Sequence, residues 1–454
     1  MAREPIVTHI IGAGVTGLGF AQCFGADKLE ILEASDRLGG MAASYKLSSI
    51  AGVFGFDVGG HWFHHQGAPE AVRLLDGLPL KRHRRCAKVF WDGGLYDFPL
   101  QASYRQHWDQ ELVSRITSEI TEITELPKTP VYANYDDMLL RSYGPTLAEL
   151  FFRPYNRKIF GIWDLSRVAV GWLDTVRNVR AAGPLKGYNT EFLYPAGNAG
   201  AEAIPRFLAR GLSIRFRARV ESINLSRRQI VVNGQSEAWG AIVSSIPLIA
   251  LARLIEDLPP DLARGAAELR SSRGMVVNAG VRDNGSFSRA SWVYFSDIDL
   301  PFYRIGFYSH VEPSLAPPGY RSVYVECSPL FFQNKEEALA LWPRIMKAMI
   351  RVGVIDRAED VLIHQCLYQP HLYCLQDEQS NHIRACLQTH GIFSIGRYGT
   401  WHWSSQHEDI QQAAALAATL LESNASSGGD GITAVGPHSE SGNQMAPVLE
   451  RSRR

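Results

Sequence analysis

The sequence predicts an α/β fold in which a parallel sheet is joined by an inserted helical domain and a domain built on an antiparallel sheet. Residues 6–11 form an apolar, β-branched run, residues 15–24 have helical apolar spacing, and residues 28–33 form a second strand. This strand–helix–strand opening is the unit of a parallel sheet covered by helices. Amphipathic helical spacing fills residues 108–180, and strand-like alternation follows from residue 274.

The later elements follow from the same two periodicities. Strands are predicted at residues 213–220, 223–225, 229–232, 241–246, 274–281, 292–295, 303–308, 322–327 and 391–395, and helices at 335–352 and 409–421.

These patterns divide the chain into domains. The parallel-sheet domain is predicted to be discontinuous, at residues 1–85, 190–273 and 385–422. The mainly helical insertion is predicted at residues 86–189 and the antiparallel-sheet domain at residues 274–384. Residues 423–454 form the predicted tail. The tail is rich in Ser, Gly, Asn and Pro and has few large apolar residues, so we expect it to be disordered.

The composition is that of a globular protein. Lys and Arg number 46, Asp and Glu also number 46, and 46% of the residues are hydrophobic, which excludes a disordered or fibrous chain. The balanced charge gives no sign of a nucleic-acid partner. Six scattered cysteines without a CxxC pair predict reduced thiols, and the chain shows neither a signal peptide nor an apolar run of membrane-spanning length. We therefore predict a cytoplasmic protein with no membrane partner.

No metal site is predicted from the histidines. The close pairs are His64 with His65, and His402 with His407. Neither pair has the helical i, i+4 spacing with an acid that a zinc hydrolase uses.

The first motif is a glycine-rich turn. The segment Gly12-Ala13-Gly14-Val15-Thr16-Gly17 lies between the first strand and the first helix, and Glu33 follows Gly12 by 21 residues. Gly12 permits a tight turn, Gly14 lets the backbone approach a pyrophosphate, and Gly17 allows close packing of helix on strand. The helix N-terminus attracts the phosphates, and Glu33 can accept hydrogen bonds from ribose hydroxyls. The motif predicts a Rossmann-type dinucleotide-binding domain.

The residues after Glu33 favour FAD over NAD. Arg37, Gly39, Gly40 and Met41 resemble the second signature of FAD-binding oxidoreductases of the amine oxidase and protoporphyrinogen oxidase type. Paired glycines let a loop lie against a flat ring, and an arginine can pair with phosphate. We therefore expect bound FAD.

A third segment is similar to one in the UDP-galactopyranose mutases and their relatives. Gly59, Gly60 and His61 match the Gly-Gly-His segment of that family. The resemblance implies that this loop lies beside the flavin ring and that His61 shapes the flavin edge. It also implies cofactor contacts at Val220 and in the segment that begins with Gly396 and Arg397.

Further segments resemble the substrate-binding parts of the same mutases. The resemblance implies that Arg304, Tyr294 and Arg177 stabilise a departing diphosphate and that further contacts to the substrate come from Asn156, Asn189, Tyr373 and Trp403. The chain departs from the family pattern at four places. The mutases have an arginine at the position of Val176, and here Arg177 follows one residue later. Phe160 replaces a Trp, Trp403 replaces a Tyr, and the Gly-Tyr-Pro turn of the mutases reads Leu372-Tyr373-Cys374.

The resemblance implies a flavin-dependent mutase that interconverts pyranose and furanose forms of a nucleotide sugar, with N5 of the reduced flavin attacking the anomeric carbon. The alternative is an FAD-dependent oxidoreductase, of the amine oxidase or desaturase type, that acts on a small molecule. An electropositive pocket around Arg304 favours the mutase, whereas an apolar aromatic cage favours the oxidoreductase.

Overall fold

The structure is a computed structural model that describes residues 7–25, 29–106, 108–125, 131–170 and 190–427. The predicted site residues Arg177 and Asn189, and residues 428–454 of the predicted tail, lie outside the described residues.

The strands are β1 (Thr8–Ile11), β2 (Leu29–Leu32), β3 (Ser44–Ser49), β4 (Gly52–Asp57), β5 (Leu80–Arg84), β6 (Ala87–Trp91), β7 (Gly94–Asp97), β8 (Glu191–Pro195), β9 (Ile214–Arg215), β10 (Val220–Asn224), β11 (Gln229–Val232), β12 (Gln235–Ala238), β13 (Ala241–Ser244), β14 (Ser271–Arg282), β15 (Trp292–Phe295), β16 (Phe302–Phe307), β17 (Tyr320–Cys327), β18 (Val361–Cys374) and β19 (Ile392–Ser394).

The helices are α1 (Val15–Phe24), α2 (Pro69–Leu74), α3 (Leu100–Ser103), α4 (Gln110–Glu125), α5 (Tyr135–Tyr143), α6 (Pro145–Leu147), α7 (Arg153–Phe160), α8 (Ala203–Leu208), α9 (Leu248–Leu254), α10 (Pro260–Glu268), α11 (Tyr308–Val311), α12 (Lys335–Ala340), α13 (Trp342–Arg351), α14 (Glu378–Thr389), α15 (Gly396–Thr400) and α16 (Gln406–Ser427).

The parallel sheet has the order β19-β13-β1-β2-β9, and every neighbouring pair in it is parallel. Strand β1 is buried along its whole length, as its apolar sequence requires for a strand covered on both faces. Helix α1 packs against α16 on this sheet. The predicted strand–helix–strand opening is confirmed.

The second large sheet has seven strands in the order β18-β14-β17-β16-β15-β6-β7. Its pairs are antiparallel except that β15 pairs with β6 in parallel. Residues 87–97, which the sequence analysis places in the helical insertion, form β6 and β7 at the edge of this sheet. Strand β6 is short and its parallel partner β15 lies about two hundred residues away, while β7 joins the sheet only through its hairpin with β6, so local periodicity does not assign them to this sheet.

Apart from β6 and β7, the described part of the insertion is mainly helical. Helices α6 and α7 are joined by a π-helical turn at Ala148–Phe152. Aromatic side chains from this region share one apolar core with side chains of the seven-stranded sheet, for example Phe151 with Tyr294. The insertion therefore packs directly against the strands that carry the predicted substrate residues.

Two predicted helices have different bounds in the structure. The predicted helix at 335–352 is divided into α12 and α13, because Pro343 occupies the first turn of a new helix, where its missing N–H is tolerated. The last helix continues to Ser427, so residues 423–427 are helical and do not belong to the tail. Among the residues that the structure describes, no helix combines the length and the apolar character that a membrane span needs.

Candidate active site

The glycine-rich turn joins β1 to α1 with the geometry that its sequence predicts. Gly12 has a φ of +101°, which favours glycine. Gly14 caps α1 with an extended backbone, and a Cβ added there would meet no atom within 4 Å. A Cβ on Gly17 would lie 2.2 Å from the carbonyl oxygen of Gly12. Gly14 thus leaves open space above the helix N-terminus, while Gly17 allows the helix to pack on the turn.

Glu33 follows the end of β2, beside this turn. Its Oε2 accepts a hydrogen bond from the Ala13 amide at 2.9 Å, and its Oε1 accepts two from Ser35. These contacts hold the carboxylate at the wall of the cavity that the glycine turn borders. This is the place where an acid can bind ribose hydroxyls.

The second glycine segment packs against the first. The Gly39 amide donates to the Ala13 carbonyl at 2.8 Å, and Gly39 and Gly40 both have positive φ. The side chain of Arg37 points elsewhere: it forms an ion pair with the buried Glu202, donates to the Ser44 carbonyl and stacks on Tyr45. The prediction that Arg37 pairs with a phosphate is therefore not met in this structure, because a buried carboxylate is its partner.

One cavity of about 830 Å³ connects the glycine turn with the seven-stranded sheet. Of the predicted site residues, it is lined by Gly12, Gly14, Val15, Thr16, Glu33, Gly39, Gly40, Met41, Gly60, His61, Tyr294, Arg304, Tyr373, Arg397 and Trp403. Those that do not line it are Gly17, Arg37, Gly59, Asn156, Val220 and Gly396. The structure thus brings most predicted cofactor residues and four predicted substrate residues to one cavity.

Two of the remaining residues support the walls of the cavity, and a third lies elsewhere. Gly17 and Gly396 allow close packing, since a Cβ on Gly396 would lie 2.6 Å from Oγ1 of Thr16. Val220 is buried in β10 with the apolar core of that region. The contact of Val220 with a cofactor, which the resemblance implied, has no counterpart in the cavity lining.

Asn156 is a structural residue of the insertion. Its Oδ1 accepts from the Tyr135 hydroxyl at 3.0 Å, its Nδ2 donates to the Phe152 carbonyl at 2.7 Å, and the side chain is buried. Asn156 does not line the cavity, and both ends of its amide are used inside the helical insertion, so its assignment to substrate stays a prediction.

The Gly-Gly-His turn forms part of the cavity wall between the two large sheets. The backbone of His61 donates to the Gly59 carbonyl at 3.0 Å, and its carbonyl accepts from Nε2 of Gln406 at the start of α16. Burial, together with the nearby Arg397 guanidinium, lowers the pKa of the His61 imidazole to about 4. His61 is therefore neutral at physiological pH.

Arg304 and Glu326 form a two-bond ion pair on neighbouring strands of the sheet. Nε of Arg304 donates to Oε2 at 2.9 Å and Nη2 donates to Oε1 at 2.6 Å. The Glu326 side chain is 5% exposed and the Arg304 side chain 20%, and both line the cavity. This geometry uses one edge of the guanidinium and leaves Nη1 outside the pair.

A third arginine in the cavity, Arg85, was not predicted from the sequence. Arg85 donates from Nη2 to the Tyr294 hydroxyl at 3.0 Å, and its guanidinium lies 4.8 Å from the ring centroids of Phe98 and Trp292. Arg85 ends a basic run that matches no motif, so the run alone indicates a solvated surface. Only the position of Arg85, directly at the predicted domain boundary, could have indicated a site there.

A three-layer stack forms another part of the wall. The rings of Tyr373 and Trp403 are 4.5 Å apart with an interplanar angle of 4°, and the Arg397 guanidinium lies 4.3 Å from the Trp403 ring centroid. Nε of Arg397 donates to the Ser404 carbonyl. Burial raises the pKa of the neighbouring Asp409 to about 6. The cavity therefore combines cations with a large aromatic surface.

One cluster in the described residues has spacing suited to a metal ion. Its ligand atoms come from His9, Glu30 and Glu237 and lie within 4.8 Å of one another. Nη1 of Arg215 already donates to both carboxylates, at 3.1 and 2.8 Å. The cluster does not line the cavity, and we interpret it as an ion-pair network that joins β1, β2, β9 and β12.

Comparison with known proteins identifies the family. A family model for flavin-containing amine oxidoreductases matches residues 22–360. The chain belongs to this family. Flavin-containing amine oxidoreductases require a flavin, and the open space above Gly14, the oriented carboxylate of Glu33 and the paired glycine segments fit a dinucleotide. The protein is a flavin-dependent enzyme.

Solved structures share the fold of this amine oxidoreductase family member. A reduced UDP-galactopyranose mutase matches with a TM-score of 0.81 and 21% identity, covering 92% of this chain and 96% of the other. The cyclohexylamine oxidase of Brevibacterium oxydans matches with a TM-score of 0.62 and 13% identity, covering 92% and 99%. A putrescine oxidase triple mutant matches with a TM-score of 0.62 and 14% identity over the same shares.

Proposed function

We propose that this enzyme is a flavin-dependent mutase that interconverts the pyranose and furanose forms of a nucleotide sugar. The observation that carries the proposal is Arg304, which lines the cavity beside the Gly-Gly-His turn while Glu326 holds one edge of its guanidinium. A further support is the likeness in fold to a UDP-galactopyranose mutase, which extends over 92% of the chain.

The ion pair with Glu326 orients Arg304 for an anion. Two hydrogen bonds fix the guanidinium plane, so the free Nη1 edge stays in one place, and little conformational entropy is lost when a ligand binds. A diphosphate oxygen is a suitable partner because charge-assisted bonds to arginine are strong and directional. In this role Arg304 stabilises negative charge on the leaving group.

Arg85 and Tyr294 supply a second set of donors. The Tyr294 hydroxyl is held by Arg85 at 3.0 Å, and Arg85 is fixed between two aromatic rings. This pair offers positive charge in the same cavity as Arg304. The proposed nucleotide sugar thus meets two cations on the sheet side of the cavity.

The flavin, when bound in its reduced form, would supply N5 as the nucleophile for the anomeric carbon. The residues of this chain position the sugar and exclude water. Neutral His61 contributes an imidazole that can donate or accept one hydrogen bond at the cavity wall, without adding charge near the reacting centre.

The second candidate is an oxidoreductase that removes hydride from a small amine or a similar molecule. Two observations favour it. Glu326 compensates the charge of Arg304, and the cavity wall carries the rings of Trp292, Tyr373 and Trp403. Aromatic surfaces of this kind bind apolar or cationic substrates.

The experiment that separates the two candidates compares oxidised with reduced protein. The purified flavoprotein is reduced anaerobically with dithionite and mixed with UDP-, GDP- and dTDP-sugars, and the products are identified by chromatography and NMR. We expect a furanose isomer from the reduced protein alone. If no nucleotide sugar binds or reacts, the mutase proposal is wrong, and flavin bleaching with release of peroxide by primary amines identifies the oxidoreductase.

A further inference from the structure

A network of buried hydrogen bonds connects the seven-stranded sheet and α11 to the backbone of the Gly-Gly-His turn. Tyr308 lies at the start of α11 and Asn278 lies in the middle of β14, and both side chains are fully buried. Neither residue lines the cavity. Both contact Asp57 or Gly59 through hydrogen bonds, so they reach the turn from behind.

The Tyr308 hydroxyl contacts the turn as both acceptor and donor. It accepts a hydrogen bond from the Gly59 amide at 3.0 Å, and three acceptors lie within reach of its single proton: the Asp57 carbonyl at 2.9 Å, the Asn278 Oδ1 at 3.2 Å and the Gly59 carbonyl at 3.3 Å. Nδ2 of Asn278 donates to the same Asp57 carbonyl at 2.8 Å. These bonds fix the peptide groups on both sides of Val58.

The side chain of Asp57 anchors the turn to β3, to β8 and to the segment before α8. Its Oδ1 accepts from the Ser44 hydroxyl and the Ala201 amide, and its Oδ2 accepts from the Tyr194 hydroxyl at 2.6 Å. Asp57 is therefore held through its side chain by the cofactor domain and through its backbone by the seven-stranded sheet. Because Asp57 is held at both its side chain and its backbone, the position of the seven-stranded sheet fixes the position of the Gly-Gly-His turn.

The turn would have other conformations without this network. It contains two adjacent glycines, which have the widest choice of backbone angles, and Gly59 adopts a φ of +82°. The amide of Gly59 is buried, so loss of its acceptor would leave an unsatisfied donor. Tyr308 thus selects one conformation of the turn that borders the flavin-binding cavity.

We propose that Tyr308 and Asn278 are positioning residues that set the conformation of the Gly-Gly-His turn and thereby the affinity and reduction potential of the bound flavin. Hydrogen-bonding groups beside a flavin ring interact differently with its oxidised and reduced forms, so a displaced turn changes the potential. The inference depends on flavin binding and is independent of the mutase reaction.

The test is Tyr308→Phe, which removes the hydroxyl and keeps the ring. The midpoint potential of the bound flavin is measured by dye equilibration, and its dissociation constant by titration of the flavin-free protein. We expect at least a threefold change in the equilibrium constant for two-electron reduction, which corresponds to about 14 mV, and at least threefold weaker binding of FAD.

The matched control is Tyr324→Phe. Tyr324 is equally buried, its ring lies 4.9 Å from that of Tyr308, and it also packs near Gly60, but among the described residues its hydroxyl has no hydrogen-bond partner. We expect this variant to keep the wild-type potential. An unchanged potential in Tyr308→Phe, or an equal change in both variants, overturns the proposal.

If Tyr308→Phe does not fold, Asn278→Ala decides by the same criterion, because it removes one of the two donors to the Asp57 carbonyl. A change in potential in the same experiment supports the proposal, and the wild-type value overturns it. Failure of the mutase proposal leaves this test intact, since the potential is measured without any substrate.

Discussion

Arg304 bonds to the Glu326 carboxylate, which orients it, and we propose that it also binds the diphosphate of the substrate. Lysine keeps the positive charge but cannot make the two parallel bonds to Glu326. We expect Arg304→Lys to lower kcat/KM for the nucleotide sugar by about 10- to 100-fold, which corresponds to about 1.4 to 2.7 kcal/mol. Steady-state kinetics of the reduced enzyme measure this effect.

Arg153 provides the control for Arg304. It forms a similar two-bond pair with Asp136 in the helical insertion, its side chain is 14% exposed, and it does not line the cavity. Arg153→Lys should leave kcat/KM within about twofold of wild type. Equal losses in the two variants would mean that Arg304 contributes to stability alone.

The lowered pKa of His61 has a consequence for stability. The folded protein holds this group neutral down to about pH 4, whereas an unfolded chain binds the proton near pH 6.5. The contribution of neutral His61 to the free energy of unfolding is therefore fully present above pH 6.5 and is lost as the pH falls toward 4. Between pH 7.5 and 5.5, the unfolding free energy of wild type should fall by about 1 kcal/mol relative to that of His61→Gln.

Urea unfolding of the flavin-free proteins at the two pH values measures this difference. The other buried acids, such as Asp57, whose pKa burial raises to about 6, are present in both proteins and cancel. A difference that is constant with pH would contradict the assignment of a neutral His61.

At the scale of the element, the turn between β1 and α1 separates two kinds of glycine. Gly14 has an extended backbone that alanine also adopts and open space for a Cβ, whereas a Cβ on Gly17 would collide with the Gly12 carbonyl. We expect Gly14→Ala to fold with an unchanged melting temperature and to bind FAD at least tenfold more weakly, because the methyl group occupies the place of the pyrophosphate.

Gly17→Ala should have the opposite effects, with a lowered melting temperature. The collision inside the turn destabilises the flavin-free protein by about 1 to 3 kcal/mol. Differential scanning calorimetry and FAD titration of both variants test the pair. If Gly14→Ala bound FAD normally, the pyrophosphate would have to lie elsewhere.

At the scale of the whole molecule, the cavity is built from both large sheets. The glycine turn belongs to the parallel sheet, and Arg304 with Tyr294 belongs to the seven-stranded sheet. A flavin that contacts only the folded state stabilises it by about 2.7 kcal/mol at a hundredfold excess over Kd, which raises Tm by about 3 °C for a chain of this length.

Hydrogen exchange shows where this stabilisation acts. We expect flavin to increase protection in the glycine turn, in the Gly-Gly-His turn and at the start of α16, which all border the cavity. The exposed tip of the β3–β4 hairpin, which carries Ile50 and does not line the cavity, is the internal control. Protection confined to one of the two sheets would contradict a shared site.

The parts of this protein that could be predicted from sequence are those in which neighbours along the chain act together. Helix α1 has the predicted bounds, and the glycine turn has its predicted geometry, because one strand, one turn and one helix contain all the groups involved. The strand Trp292–Phe295 was predicted with its correct bounds, since the sequence pattern of a strand is a local property.

Residues that depend on distant partners were predicted less well. Arg37 was assigned to a phosphate, but it pairs with Glu202, 165 residues away. Asn156 was assigned to substrate, but both ends of its amide are satisfied within the insertion. Arg37 pairs with a buried carboxylate and the buried amide of Asn156 bonds to groups of its own helical region, and in neither case does the sequence state which partner the side chain takes.

The sequence by itself determined the family and the dinucleotide turn, and most of the residues that it assigns to the cofactor line one cavity, because short motifs carry their own geometry. Only the tertiary structure decided the electrostatics of the site. Arg304 is joined to Glu326, Arg85 to Tyr294 across 209 residues, and Tyr308 to Gly59 across 249 residues. Charge compensation and hydrogen bonding act through space over a few ångströms, so these pairings exist only once the two sheets have packed together.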